Sequence, residues 1–254
     1  MSEQNPNFYL ARVALVAQPT QNALRAYSAV TGTWASLTVP VDTGDTFLVD
    51  TNVALVAQPT QNELRAFSAI TGTWASLGVA VDTGDTFLVD TSVALVAQPT
   101  QNALRAFSAH TGAWTSLVVA VDAGDSFRVS GNVALVAQPT QNALRAFSAI
   151  TGGAWDSLTV PVDTGDTFLV DTNVVLVAQP TQNELRAYSA VTGTWASLGV
   201  AVDTGDTFLV GGNTAFVAQP TRNALRAFSA ITGAWASLTV PVDTGDLFLV
   251  GSDA

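Results

Sequence analysis

The hydrophobic positions of the chain fall into short runs that recur every 40 residues. Val93–Ala97 is continuously apolar, which is typical of a strand buried on both faces. Asn102–Ala109 alternates between apolar and polar side chains, and Ala113–Val119 forms another short run. Turn residues separate these runs, and the segment Asp85–Val89 precedes them. The pattern predicts four short strands in each copy.

The repeat itself predicts the architecture. The phrase VALVAQPTQ begins at Val13, Val53, Val93 and Val133, and recurs in altered form at Val174 and Thr214. Four strands in about 40 residues, repeated six times, are typical of a β-propeller. We therefore predict an all-β, six-bladed β-propeller of four-stranded blades. Its boundaries are an N-terminal leader with one candidate strand (1–12) and one propeller domain of six repeats (13–52, 53–92, 93–132, 133–173, 174–213 and 214–254).

Two other architectures fit the repeat. Copies two and five share features, as do copies one and four and copies three and six, so two tandem β-trefoils or a solenoid are alternatives. The junction Ser130–Asn132, between copies three and four, is as short as the other junctions. The absence of a linker there favours a single ring.

The chain ends predict how the ring closes. Asp246–Val250 is the first strand of a blade that has no further strands. We expect it to complete the first blade as a C-terminal velcro strand. Phe8–Leu10 is a similar strand that would compete for the same place.

The near-identity of the copies bears on origin. Copies one and two differ at only six positions. This indicates recent amplification or deliberate design, and the sequence does not separate the two.

Composition excludes several functional classes. The chain has nine basic and 20 acidic residues, a net charge of −11, one His and no Cys. A nucleic-acid binder needs a dense cationic face, and anionic membranes also attract cationic segments. The absence of Cys excludes disulfides, thiolate catalysis and Cys–zinc sites. We expect no cofactor, no nucleic-acid or membrane partner, and a monomer. No signal peptide or long apolar run is visible, which is compatible with the cytoplasm.

The segment Phe67–Trp74 resembles the kelch repeat. Phe67, Thr71 and Trp74 match the aromatic, Thr and Trp of that family, and Asn62–Arg65 fits its third strand. The family's double glycine is absent, and Ala57–Pro59 stands in its place. The resemblance implies a propeller; kelch propellers mostly bind proteins, and a few are oxidases or isomerases.

The Gln-Pro-Thr-Gln-Asn loops are the first candidate binding residues. Their amide groups could contact a protein or glycan, or they could satisfy the backbone of the turn. Together with a nearby Trp, they would suit sugar hydroxyls and C–H stacking. The candidates are Gln18, Gln21, Asn22, Gln58, Gln61, Asn62, Gln98, Gln101, Asn102, Gln138, Gln141, Asn142, Gln179, Gln182, Asn183, Gln219, Arg222 and Asn223.

Each copy also carries one strand Arg and one Trp, which we interpret as structural. An Arg in an apolar strand needs a partner, and we expect a loop carboxylate or backbone carbonyls. The Trp is expected to pack between outer strands. The residues are Arg25, Arg65, Arg105, Arg145, Arg186 and Arg226, and Trp34, Trp74, Trp114, Trp155, Trp195 and Trp235.

The Asp-x-Gly-Asp loops are a weaker metal candidate. Paired carboxylates can bind Ca²⁺, but Asp-Gly is also an ordinary turn former. We predict turn chemistry, with a metal site as the alternative. The pairs are Asp42/Asp45, Asp82/Asp85, Asp122/Asp125, Asp163/Asp166, Asp203/Asp206 and Asp243/Asp246.

Residues that break the symmetry are few. They are His110, Arg128, Asp156, Arg222 and the insertion at Gly153. They form no nucleophile–His–acid set, so we expect no enzyme. The sequence favours a symmetric scaffold or binding module; the alternatives are a multivalent lectin and a protein without an evolved function.

Overall fold

The computed structural model describes residues 11–243 and 245–251 of the 254-residue chain. The described chain is built of short antiparallel strands grouped into six sheets in chain order. Blade one contains β1 (Val13–Gln18), β2 (Ala23–Ser28) and β3 (Thr33–Thr38). Blade two contains β4 (Thr46–Asp50), β5 (Val53–Gln58), β6 (Glu63–Ser68) and β7 (Thr73–Gly78). Blade three contains β8 (Thr86–Asp90), β9 (Val93–Gln98), β10 (Ala103–Ser108) and β11 (Ala113–Val118).

The other three blades repeat this order. Blade four contains β12 (Ser126–Ser130), β13 (Val133–Gln138), β14 (Ala143–Ser148) and β15 (Ala154–Thr159). Blade five contains β16 (Thr167–Asp171), β17 (Val174–Gln179), β18 (Glu184–Ser189) and β19 (Thr194–Gly199). Blade six contains β20 (Thr207–Gly211), β21 (Thr214–Gln219), β22 (Ala224–Ser229) and β23 (Ala234–Thr239). Single 3₁₀ turns follow three strands, at Pro19–Gln21, Pro99–Gln101 and Pro220–Arg222.

The predicted all-β propeller fold is confirmed. Each sheet is formed by consecutive strands, and in blade three the order is β8-β9-β10-β11. This is the topology of propeller blades rather than of two β-trefoils. The four strands predicted between Asp85 and Val119 are all present, with ends shifted by a few residues. No helix within the described residues is long and apolar enough to span a membrane.

Local residue choice explains the hairpins. Asn102 has φ +48°, a left-handed conformation that Asn tolerates better than most residues, and its N–H donates to the Pro99 carbonyl at 3.2 Å. Gly112, with φ +67°, closes the next turn, and its N–H donates to the Ser108 carbonyl at 2.8 Å. The loop Asn therefore shapes the backbone of its turn.

Blades pack through two different faces. One face of blade two carries Leu55, Leu64 and Ala66, and we call the equivalent face of every blade its leucine face. It packs against the face of blade three that carries Val96 and Phe107, and we call the equivalent face of every blade its aromatic face. The same pairing of a leucine face with the next aromatic face recurs at five successive junctions. The second strand of blades two to five is buried at every position because each of these blades has a neighbour on both sides.

Polar contacts hold the same junctions in register. Ser68 Oγ donates to the Ala109 carbonyl of the next blade at 2.6 Å. In the opposite direction, Trp114 Nε1 donates to the Ala75 carbonyl at 3.3 Å. The Trp therefore lies between the outer strands of two neighbouring blades, β11 and β7, and joins them.

Ring closure differs from the prediction. Blade one is a three-stranded sheet, and residues 246–251 form no strand ladder with it. Phe248 lies on blade six instead, with its ring centroid 5.5 Å from that of Phe216. The tail packs against blade six in the same way as the first strand of each blade packs against the blade before it. β1 lies at the other end of the row of blades, out of reach of the tail. The competing strand Phe8–Leu10 lies outside the described residues.

Candidate functional site

In blades two to six, two loops meet at one edge, which we call the loop edge. In blade two, the Asp42–Asp45 loop before β4 lies beside the Gln58–Asn62 loop after β5. Thr60 and Gln61 both donate to Asp42, with Gln61 Nε2 at 2.8 Å from Asp42 Oδ2. The predicted loop amides and loop carboxylates therefore converge in blades two to six.

The first loop Gln is internal to this edge. Gln58 is fully buried, and its Nε2 donates to the Pro40 carbonyl at 2.8 Å and to Asp45 Oδ2 at 2.9 Å. Its Oε1 accepts from Arg65 Nε at 2.6 Å. In this conformation a ligand in solvent cannot reach the Gln58 side chain. The equivalent fully buried residues are Gln98, Gln138, Gln179 and Gln219.

The direct hydrogen-bond partners of the strand Arg differ from the loop carboxylate or backbone carbonyls predicted from the sequence. Arg65 donates to Gln58 and, through Nη1, to Ser76 Oγ at 2.7 Å. The neutral amide stands between the guanidinium and the loop carboxylate Asp45. Arg65 also lies 3.6 Å from the Glu63 carboxylate. The carboxylate of the loop is thus reached through Gln58 rather than directly.

The Asp-x-Gly-Asp loop closes on itself. The Asp42 N–H donates to Asp45 Oδ2 at 3.0 Å, and the Asp45 N–H donates to the Asp42 carbonyl at 3.1 Å. Hydrogen bonds from Thr60 and Gln61 hold the pKa of Asp42 below its usual value. The same bonds from Thr181 and Gln182 lower the pKa of Asp163. These contacts are those of a turn, as the Asp-Gly sequence predicts.

Burial shifts two pKa values in opposite directions, that of Asp166, the second carboxylate of its Asp-x-Gly-Asp loop, and that of the strand residue Arg105. Burial raises the pKa of Asp166, and the Gln179 hydrogen bond partly offsets this effect. Burial lowers the pKa of Arg105, and the nearby Asp85 carboxylate opposes that shift. No group of three or more His, Cys, Asp or Glu residues in the described part of the chain could hold a metal ion. The carboxylates Asp42, Asp45, Asp82 and Asp85 instead belong to the loop network.

The concave feature of the loop edge lies between blades. A cleft of about 220 Å³ separates blades four and five, lined by Pro139, Asp163, Thr164 and Phe168 among others. An equivalent cleft of about 400 Å³ at the next junction is lined by Pro180, Asp203, Thr204 and Phe208. The sequence pattern predicted the loop amides as binding residues, whereas Pro, Thr and Phe form much of the cleft walls. The signal that could have identified these residues is their recurrence every 40 residues.

The Trp rings offer little free surface at interior junctions. Trp74 is half-buried, lies 5.4 Å from the Phe67 ring, and donates to the Ala35 carbonyl at 3.3 Å. The predicted combination of Trp with loop amides is therefore not assembled around one cleft.

The symmetry-breaking residues lie apart from one another. Arg128 lines a central cavity of about 390 Å³ with Leu88, Leu169 and other inner-strand residues. His110 Nε2 lies 2.9 Å from Asn132 Oδ1, and Arg222 lies 3.5 Å from Asp203. They do not form one cluster.

Comparisons with known proteins concern the fold only. No family model and no curated protein matches the sequence, so the kelch resemblance is not confirmed. Hsv2 from Kluyveromyces lactis is 10% identical, with 93% of this chain and 82% of that chain covered, at a TM-score of 0.33. AztD from Citrobacter koseri is 10% identical, with 91% and 84% covered, at a TM-score of 0.36. Both are β-propellers, and likeness at this level assigns no ligand.

Proposed function

We propose that the chain is a non-catalytic, symmetric repeat scaffold that carries binding clefts along its loop edge. The observation that carries the proposal is the hydrogen-bond network of the loop edge, which engages its Gln, Arg, Thr and Asp side chains with one another. In successive repeats the first loop Gln binds the strand Arg and the second Asp of the Asp-x-Gly-Asp loop, and the loop Thr binds the first Asp. A catalytic group needs an atom within reach of a substrate, whereas side chains that bond one another in this way build a rigid surface.

The inter-blade clefts support binding rather than a purely architectural role. Each combines a Phe ring and a Pro with a Thr hydroxyl and carboxylates, as at Phe168, Pro139, Thr164 and Asp163. Such mixed walls suit a short peptide or a sugar. Because equivalent clefts follow one another along the chain, weak contacts at several clefts would add through avidity.

A multivalent lectin is the second candidate function. The clefts favour it because a Phe ring stands beside hydroxyl and carboxylate groups. The interior Trp residues do not favour it, since they are engaged between blades.

A glycan array separates the two candidates, probed with the purified full chain in Ca²⁺ and again in EDTA. We expect no specific hit from a scaffold whose clefts bind peptide segments. A specific hit would establish the lectin, and its loss in EDTA would give the Asp-x-Gly-Asp loops a metal role.

A cleft-blocking variant locates any hit. In the Thr164→Arg/Thr204→Arg variant two exposed cleft residues become bulky. The matched control is Val118→Arg/Thr159→Arg, at equivalent exposed positions on two outer strands. Binding that is lost in the first variant and kept in the second belongs to the clefts. Binding that survives in both would overturn the assignment of the clefts.

A further inference from the structure

The two ends of the blade row present complementary, uncovered faces. At one end, the aromatic face of blade one carries Val16, Tyr27 and Trp34, and Trp34 is 57% exposed. At the other end, the leucine face of blade six carries Phe216, Leu225 and Leu238, and Leu238 is 58% exposed. In the described residues no hydrophobic cluster joins these two blades.

The leucine face of blade six also holds an empty groove. Its cavity of about 260 Å³ is almost wholly apolar and is lined by Phe216, Leu225, Ala227, Leu238 and neighbouring residues. At an interior junction the corresponding face receives an aromatic ring: Tyr188 of blade five packs against the blade-four cluster that contains Leu135, Leu144 and Ala146. Tyr27 is the residue of blade one at the position of Tyr188.

The strand edges at the two ends are complementary as well. Within residues 11–243 and 245–251, blade one has no inner strand, and one edge of β1 pairs with no strand. Residues 247–251 lie beyond blade six in the place of an inner strand, and Gly251 lies close against Gly211 as Thr172 does against Gly131. The register of the interior blades, for example Thr207 opposite Ala218, transfers to Leu247 opposite Ala17 and Gly251 opposite Val13. Unpaired edges of this kind readily add a strand from another chain.

We propose that a second copy of this chain covers these ends, with blade six of one copy docked head-to-tail on blade one of the next. The tail of the first copy supplies the missing inner strand of the second, so the sixth junction is made between molecules. The new junction continues the five junctions already present within the chain. This departs from the monomer expected from the sequence.

Closure within one chain is the competing arrangement. It would bring blade six onto blade one by rotating blades at junctions whose core residues are between 0 and 8% exposed. Closely packed interfaces resist such rotation because they lose contacts on both sides. Docking of a second copy leaves all five junctions as they are. A head-to-tail contact forms a ring if its rotation closes and a filament if it does not.

Two further contacts are expected at the new junction. Ser189 donates to the Ala230 carbonyl of the next blade, and the corresponding donation from Ser229 would reach the partner's Ala29. Trp235 Nε1 donates to the Ala196 carbonyl of the preceding blade at 3.2 Å. In the same way, Trp34 of the partner subunit would donate to the Ala236 carbonyl of the first copy.

The experiment uses face-blocking variants of the full chain in sedimentation velocity over a range of concentrations. Leu238→Glu blocks the leucine face and Trp34→Glu blocks the aromatic face. The matched control is Val118→Glu, at a residue that is 83% exposed on an outer strand of an interior blade. We expect the unaltered chain and the control to assemble with rising concentration. Each face-blocking variant alone should stay monomeric.

Mixing the two blocked variants is the decisive step. Each retains one intact face, and the two intact faces are complementary, so an equimolar mixture should form a dimer and nothing larger. A wild-type chain that stays monomeric at every concentration, or a mixture that forms no dimer, overturns the proposal.

A crosslink distinguishes the competing arrangement and does not depend on Glu at an apolar face. Because the chain has no Cys, Ala17→Cys and Leu247→Cys introduce the only thiols. Both positions are exposed. Oxidation of the double variant should give covalent oligomers. A covalently closed monomer would show closure within one chain and overturn the second copy.

Discussion

Blades one and three contain the same strand sequence in different surroundings. The strand VALVAQ is buried at every position in β9, whereas the identical strand β1 is open at most positions. Val96 has no exposed surface, but Val16 is 37% exposed. Since the sequences are the same, the neighbouring blades determine burial, as expected for a repeat protein stabilised by nearest-neighbour interfaces.

The comparison gives matched substitutions, in which one residue type is changed inside the row and at its end. Each pair should be measured in the Leu238→Glu background, so that association does not cover blade one. The largest difference is expected for the aromatic ring at the junction.

Tyr188→Ala should destabilise far more than Tyr27→Ala. The Tyr188 side chain is 1% exposed against the blade-four cluster, whereas Tyr27 is only partly buried. Truncating a buried aromatic residue costs about 3–5 kcal/mol, and a part-exposed one costs much less. The free energy of unfolding from denaturant titration measures both. Equal losses would show that the aromatic face of blade one is covered even in this background.

The loop network gives the next largest difference. Gln138→Ala would leave Arg145 Nε and Asp125 Oδ2 without their buried partner, at a cost of about 1–3 kcal/mol. Gln18 is partly exposed and accepts from Arg25 Nε at 2.6 Å, so water can replace it. We expect Gln18→Ala to cost about 1 kcal/mol or less. The same denaturant titrations test this pair, and a larger loss for Gln18 than for Gln138 would contradict it.

The architecture was predictable because it is encoded in repeat length and strand pattern. Val93–Ala97 reads as a strand buried on both sides, and Thr111-Gly112 as the following turn, without any knowledge of the neighbours. Closure was not predictable in the same way. The tail at Asp246–Val250 has the pattern of an inner strand, but which blade it contacts depends on the rotation accumulated over all the junctions.

The loop edge was predicted only in part. The sequence groups Gln58, Gln61 and Asn62 as alike, yet Gln58 is buried, Gln61 binds Asp42, and Asn62 adopts a left-handed turn. Amide side chains have the same chemistry in a ligand site and in a turn, so residue type alone cannot distinguish these roles. The clefts arise from two blades together, and no single repeat contains one.

The indole hydrogen bond should give a smaller difference than the loop amide. Trp114→Phe removes the donation from Nε1 to the Ala75 carbonyl, which is worth about 0.5–1.5 kcal/mol, together with some packing. Trp34→Phe should change the free energy of unfolding very little in the blocked background, because most of the Trp34 side chain is exposed. In the associating chain, the same Trp34→Phe substitution should weaken assembly. An unchanged association constant would contradict the expected bond to Ala236.

The smallest effect at neutral pH is expected for Tyr188→Phe, and it should become visible only in alkali. Burial raises the pKa of the Tyr188 phenol well above its usual value of 10.0, and the Asp156 carboxylate adds to the shift. The folded chain therefore favours the protonated phenol. The contribution of this phenol to the free energy of unfolding is complete below about pH 10 and is lost as the pH rises above that value. The variant removes this loss because Phe has no phenol to ionise. Phe also fits the position, since it occupies it in four other copies, at Phe67, Phe107, Phe147 and Phe228. Stability of the variant should exceed that of the unaltered chain above pH 10 and match it at neutral pH. Tyrosinate absorbance provides the check: ionisation of Tyr188 at its ordinary pKa in the folded chain would show that the ring is not enclosed between blades four and five.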